Sequence, residues 1–143
     1  LNYATDCRYG VPVDLARKVW RGEAIDLANG VFNCIWQGDA NEMILRSFPL
    51  AHSPARPWNL TSRETYQVRE AATQLGKFLG REPVFTGEEA STALLSDARA
   101  LCSKLGSPPT SWNTILERTA CWVRAGGPAL GKPTRFEVRD GNY

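Results

Sequence analysis

In 143 residues the sequence holds one histidine, His52, and one methionine, Met43. The four cysteines, Cys7, Cys34, Cys102 and Cys121, form no Cys-x-x-Cys or Cys-x-His pair. That spacing predicts no zinc site, and no bound metal is expected. The cysteines stand far apart in a chain with ample core-forming residues, which predicts free thiols in a reducing, cytoplasmic compartment. His52 sits in the Pro-rich stretch 51–57 with no second histidine, and a solvent-exposed ring is expected. No apolar run reaches the roughly 18 residues of a membrane helix, and there is no signal-peptide pattern. Seventeen basic residues oppose 15 acidic ones, a net charge of +2. The basic residues are scattered, so nothing predicts a nucleic-acid partner. There is no Gly-x-Ser-x-Gly, His-Glu-x-x-His, P-loop or Gly-x-Gly-x-x-Gly pattern, hence no self-contained catalytic constellation. Gly126-Gly127 reads as a chain turn, and Glu88-Glu89 as a solvated turn.

What is present is an ordinary globular composition, 43% hydrophobic and 22% charged. It fits one domain over residues 1–125 followed by a Gly/Pro-containing tail, 126–143. The fold class predicted is α+β, mainly helical with short strands. Pro12 opens a helix over 12–21 that Gly22 stops. Residues 24–27 and 31–36 read as extended pieces joined by a turn at Ala28-Asn29-Gly30. Asp39, with Glu42 three places on, is expected to cap a helix over 40–48 whose Met43, Ile44 and Phe48 face inward. A strand is expected at 57–60. The strongest helical period runs over 66–79, with Val68, Ala71, Ala72, Leu75, Phe78 and Leu79 in one stripe and Gly80 as the stop. A strand at 83–86 follows. Ser96 or Asp97 caps a helix carrying Ala98, Leu101, Cys102 and Leu105. Ser111 caps the last helix, with Trp112, Ile115, Leu116, Thr119, Trp122 and Val123 inward. A final strand is possible at 135–138.

Two stretches stand out. Asn2-Tyr3 through Arg8-Tyr9-Gly10 places polar and aromatic side chains after a strand, a position suited to a ligand. It can equally be a polar loop with Tyr9 on the core. In Asn33–Asp39, Trp36 and Gln37 precede a helix N-terminus, which favours anions and polar ligands. A core role for Trp36 is the competing reading. The chain has no initiator Met, its single Met lying inside a predicted helix, and it begins on an apolar strand-like segment. The expectation is the C-terminal part of a longer protein.

The ordered set of local phrases resembles the C-terminal part of the extended short-chain dehydrogenases/reductases, the NAD-dependent epimerase/dehydratase family. The phrases are Leu1-Asn2-Tyr3-Ala4 with Arg8-Tyr9-Gly10-Val11, then Gly22-Glu23-Ala24-Ile25, then Gln37-Gly38-Asp39-Ala40. Asn59-Leu60-Thr61, Leu79-Gly80-Arg81-Glu82-Pro83, Leu94-Leu95-Ser96-Asp97, Leu105-Gly106-Ser107-Pro108 and Thr119-Ala120-Cys121-Trp122 complete it. The similarity spans about residues 1–125.

The resemblance implies a substrate-binding portion that needs a separate Rossmann domain and is not catalytic alone. The family's glycine fingerprint and Tyr-x-x-x-Lys pair have no counterpart here, since Tyr9 is followed by Val13 and Tyr66 by Glu70. NAD or NADP would serve the full-length protein, with none expected on this chain by itself. By similarity Asn2 lies near the nicotinamide and substrate, and Tyr3, Arg8, Trp36 and Gln37 line a small-molecule substrate pocket. Phe32-Asn33-Cys34-Ile35 stands where sugar-nucleotide members carry Arg-Asp-Phe-Ile, so the phosphate-gripping Arg is missing. Removal of a Rossmann domain is expected to expose Val11, Val31, Ile35 and Trp36, and so to drive homo-oligomerisation. The alternative from another class is a non-catalytic helical interaction module.

Overall fold

The computed structural model describes residues 1–138. Among the described residues there are five α-helices, six short strands and one 3-10 turn, Phe48–Leu50. The helices are α1 (Val11–Arg21), α2 (Gln37–Ser47), α3 (Val68–Leu79), α4 (Arg99–Leu105) and α5 (Trp112–Arg124). The strands are β1 (Ala4–Thr5), β2 (Ala24–Asp26), β3 (Val31–Phe32), β4 (Ile35–Trp36), β5 (Tyr66–Gln67) and β6 (Val84–Thr86).

The three long helices follow from local chemistry. In α1 Pro12 occupies the first turn, Asp14 faces the positive end of the helix dipole, and Lys18 and Arg21 face the negative end. Gly22 ends it in the left-handed region at φ 68°, its N–H returning to the last carbonyls. Gly80 ends α3 in the same way at φ 66°. Ser111 caps α5, its hydroxyl accepting from the Thr114 N–H at 3.2 Å. The inward stripes of these helices meet in one core. Val11, Leu15 and Val19 of α1, Val68, Ala72 and Leu75 of α3, and Leu116, Ala120 and Val123 of α5 bury together with Ile25, Leu27 and Phe32. A second core gathers Ile35, Ala40, Met43, Leu60, Leu101 and Cys102 between α2, α4 and the loop before β5.

Every strand pairs with a distant one. β1 runs parallel to β4, β2 runs parallel to β6, and β3 runs antiparallel to β5. The segment 31–36 is therefore two strands. Its break at Asn33-Cys34 sends β3 to α3's leading edge and β4 to β1. The expected turn at 28–30 exists, but β2 and β3 do not pair, so no hairpin forms.

Other expectations are corrected by packing. Residues 57–60 are not a strand, because Leu60 drops into the second core while Trp58 packs beside it. Residues 135–138 are a turn, not a strand, and Phe136 is buried against the three-helix core. Of the three side chains expected inward on α2, only Met43 is buried; Ile44 is 40% and Phe48 66% exposed. Asp39 does not cap α2. Trp36 holds that place without a side-chain bond, and the helix begins three residues earlier than expected. Ala98 precedes α4, which has no side-chain cap; Asp97 instead accepts from the Arg99 N–H at 2.9 Å. The exposed face foreseen for association is also absent. Val11 and Ile35 are 0% and 1% exposed, held inside the chain's own two cores, and Val31 and Trp36 are half-buried. The four cysteines are free thiols, with Cys34 and Cys102 buried and Cys121 exposed. His52 is exposed.

Candidate functional site

Asn2 and Tyr3 line one cavity of about 380 Å³, together with Leu94, Thr134 and Arg135. Beside it a smaller recess of about 120 Å³ is walled by Tyr3, Asn29, Val31, Phe32 and Phe136. The cavity is framed by amides. Asn2 anchors its backbone N–H on the Leu60 carbonyl at 3.0 Å. Its side-chain Nδ2 donates to Asn33 Oδ1 at 2.8 Å. Asn33 Nδ2 in turn donates to the Ser96 carbonyl at 2.7 Å. Asn33 is 3% exposed, and this relay satisfies a polar group that would otherwise be costly to bury. Asn33 connects β1 to the approach of α4. Its signal in the sequence was an amide between Phe32 and Cys34, inside an otherwise apolar run.

Among the described residues two non-glycine residues adopt left-handed backbone, Tyr3 at φ 42° and Arg135 at φ 55°. Both face the Asn2 cavity. Such conformations cost on the order of 1–3 kcal/mol and concentrate at ligand sites. The segment carrying Arg135 is tied down on both sides. Thr134 Oγ1 donates to Asp14 Oδ2 at 2.6 Å, Lys18 pairs with Glu137, and Asn29 Nδ2 donates to the Phe136 carbonyl. Burial pushes the Asp14 carboxyl up, with the Thr134 hydroxyl opposing.

The other sequence-predicted residues lie apart from this cavity. Arg8 is exposed, pairs with Asp6 at 3.1 Å, and fronts a separate groove with Tyr9, Arg17 and Lys132. Trp36 stands opposite Thr5 in the β1–β4 pair, three residues along from Asn2. Its ring lines a different recess with Tyr66 and Trp112. Gln37 bonds Asn41 Oδ1 at 3.0 Å on the surface of α2. Asp39, expected as a cap, is 6% exposed and accepts from the Thr110 N–H at 2.9 Å and the Thr110 hydroxyl at 2.8 Å. It pins the loop before α5 to the start of α2.

A dinucleotide needs a glycine-lined cradle at a helix N-terminus. Gly10 precedes α1, but the space at its Cα is filled: a side-chain carbon there would overlap the Thr5 hydroxyl. Gly30 and Gly38 approach side chains, not open space. None of these three glycines offers a phosphate an open cradle. Among the described residues no group of three metal-ligating side chains converges either, and no helix is long and apolar enough to cross a membrane.

No protein-family model matches the chain. No curated protein matches its sequence. Solved structures do match it. UDP-glucose 4-epimerase of Thermus thermophilus, complexed with NAD, superposes with a TM-score of 0.62 at 16% identity, over 87% of this chain and 43% of that one. RMD of Pseudomonas aeruginosa, complexed with NADPH, gives 0.65 at 16% identity, over 81% and 43%. The dTDP-glucose 4,6-dehydratase of Bacillus anthracis, in complex with NAD, gives 0.61 at 13% identity, over 80% and 39%. The chain thus spans less than half the length of the structures it matches. Its short strands, its three-helix core and its second core around α2 and α4 give it the fold of the C-terminal part of the NAD-dependent epimerases and dehydratases.

Proposed function

We propose that the chain is the substrate-binding portion of an NAD(P)-dependent epimerase, dehydratase or reductase whose dinucleotide domain is a separate stretch of polypeptide. The observation that carries the reading is the Asn2–Asn33–Ser96 relay beside a cavity bordered by two left-handed residues. Asn2 offers a neutral donor and acceptor for a substrate hydroxyl or carbonyl, and Tyr3 forms the wall next to it. The β1–β4 pair supports the division of labour. Parallel strands ordinarily belong to larger sheets covered on both faces, and two strands of two residues each are a fragment of one. The crowding at Gly10, Gly30 and Gly38 is consistent with it: in this reading NAD or NADP is gripped elsewhere and only its nicotinamide end reaches Asn2. Phe32 in place of a phosphate-gripping Arg argues for a substrate other than a nucleotide sugar.

The test extends the expressed chain through its native upstream coding sequence and titrates both forms with NAD and NADP by calorimetry. The extended protein is expected to bind one dinucleotide at micromolar concentration, and the 143-residue chain neither. Micromolar binding to the 143-residue chain alone, or an upstream sequence without a glycine loop and Tyr-x-x-x-Lys, overturns the proposal.

A further inference from the structure

The recess behind Trp36 shares no lining residue with the Asn2 cavity. It measures about 220 Å³, below the roughly 300–1,000 Å³ of sites for drug-sized ligands, so it suits a molecule of one ring. Its floor is apolar, made by Ile35 and Ile115, which are 1% and 3% exposed. Two elements supply aromatic walls. Trp36 stands at the end of β4, and Trp112 opens α5 with Tyr66 stacked on it at 3.8 Å and 9°. The rim is rigid, because the buried Asp39 carboxylate holds Thr110 by two bonds.

Four of the rim's hydroxyls, those of Ser62, Tyr66, Thr110 and Ser111, are already engaged. Ser62 accepts from the Glu64 N–H, Tyr66 donates to Glu64, Thr110 donates to Asp39, and Ser111 caps α5. What the recess offers a ligand besides the exposed Ser107 is ring surface and charge. Arg63 on the rim has no carboxylate within ion-pair distance among the described residues. Arg118 lies over the Trp36 ring, 5.4 Å from its centroid, within the ordinary reach of a cation–π contact. Among the described residues Glu64 is the one acidic side chain lining the recess. Arg63 is the one cation lining the recess among the described residues, and Arg118 covers a Trp36 face that would otherwise attract a cationic guest.

We propose that this recess is a second binding site, distinct from the substrate cavity, for a small aromatic carboxylate. The ring packs on the Ile35 and Ile115 floor against the ring surface that Trp36 and Trp112 leave free, and the carboxylate reaches Arg63.

The test titrates the 143-residue chain with benzoate, benzamide and acetate while following the indole N–H resonances of Trp36 and Trp112. Benzoate is expected to saturate with a Kd of about 1 mM or tighter. Benzamide, isosteric but neutral, is expected to bind at least about tenfold more weakly, since the ion-paired hydrogen bond is lost. Acetate, without the ring, is expected not to saturate. Arg63→Gln should erase the preference for benzoate over benzamide. Ser107→Trp, at an exposed lining position, should fill the recess and abolish binding. If Ser107→Trp lowers the melting temperature, the Arg63→Gln comparison decides. Equal affinity for benzoate and benzamide in the unmodified chain, or no saturation below about 20 mM, overturns the proposal.

Discussion

Asp39 offers the sharpest check on how this chain holds its shape. Its carboxylate accepts two hydrogen bonds from Thr110, at 2.9 and 2.8 Å, across a sequence gap of 71 residues. Hydrogen bonds to a charged group are worth about 1.5–3 kcal/mol each. Thr110 is half-buried and can recruit water when the carboxylate goes, so the lower end applies. Asp39→Ala, which removes both bonds, should cost about 3 kcal/mol. Asp39→Asn keeps one acceptor oxygen and should cost about half as much. For a chain of this size about 4 °C of melting temperature goes with each kcal/mol. The expected losses are therefore about 12 °C for the alanine variant and about 6 °C for the asparagine variant. Calorimetric melting of both, and of each combined with Thr110→Val, completes a double-mutant cycle. The coupling with Thr110 should be about 1 kcal/mol or more. Asp and Asn are nearly equal as N-caps. An asparagine variant as stable as the unmodified chain, with no coupling to Thr110, would show Asp39 to be a helix cap after all and refute the tether.

Three further outcomes are expected. Gly10→Ala should destabilise by about 3 kcal/mol or more, because Gly10 sits at φ 122° and an added Cβ would lie 3.1 Å from the Thr5 Cα and closer still to its side chain; Gly22→Ala, with open space around it, should cost only about 1 kcal/mol, and urea unfolding of the pair reads the difference. Burial pushes the Cys34 thiol and the Tyr66 phenol each up to about 12 from ordinary values of 9.0 and 10.0. The folded chain holds both protons more tightly than the unfolded chain, so this stability is complete below about pH 9 and is lost as pH climbs toward about 12. Cys34→Ala should flatten that decline in the urea midpoint. Asn2→Ala should lower the melting temperature by a few degrees through its lost bond to Asn33 and, in the full-length enzyme proposed above, lower kcat/KM about tenfold. Full activity in the surviving folded fraction would make Asn2 purely structural.

The parts of this fold that were legible in the sequence are those decided within one turn of helix. Gly22, Gly80 and Ser111 mark helix ends by their own backbone and side-chain chemistry, and the apolar period of α3 needs no partner to be seen. Strand partners were not legible, because pairing is a property of two segments. Nothing in Val31–Trp36 announces that Phe32 will face Tyr66 while Trp36 faces Thr5. Asp39 shows the limit well. Its spacing to Glu42 mimics a capping box, and only the distant Thr110 reveals what the carboxylate does. In the site, Asn2 and Tyr3 were expected after a strand; they instead precede β1 and line the cavity. Asn33 and Arg135 were not legible: one takes its role from a relay to Ser96, the other from a chain reversal at residues 134–138. Ile44 and Phe48 misled because a helical stripe says which residues share a face, not which face meets the core.

The strand pairings have a kinetic consequence. Ala24 meets Val84, Val31 meets Gln67 and Ala4 meets Ile35, so each sheet closes only after a long loop of intervening chain has been gathered in. The entropy of such a closure is lost before the contacts that offset it exist. Helices like these form within about a microsecond, yet the strands that seat them belong to the slow, non-local class. The chain is therefore expected to collapse with much of its helix in place and then to search for its strand partners, and the rate of that search, not of helix formation, sets how quickly the native arrangement appears.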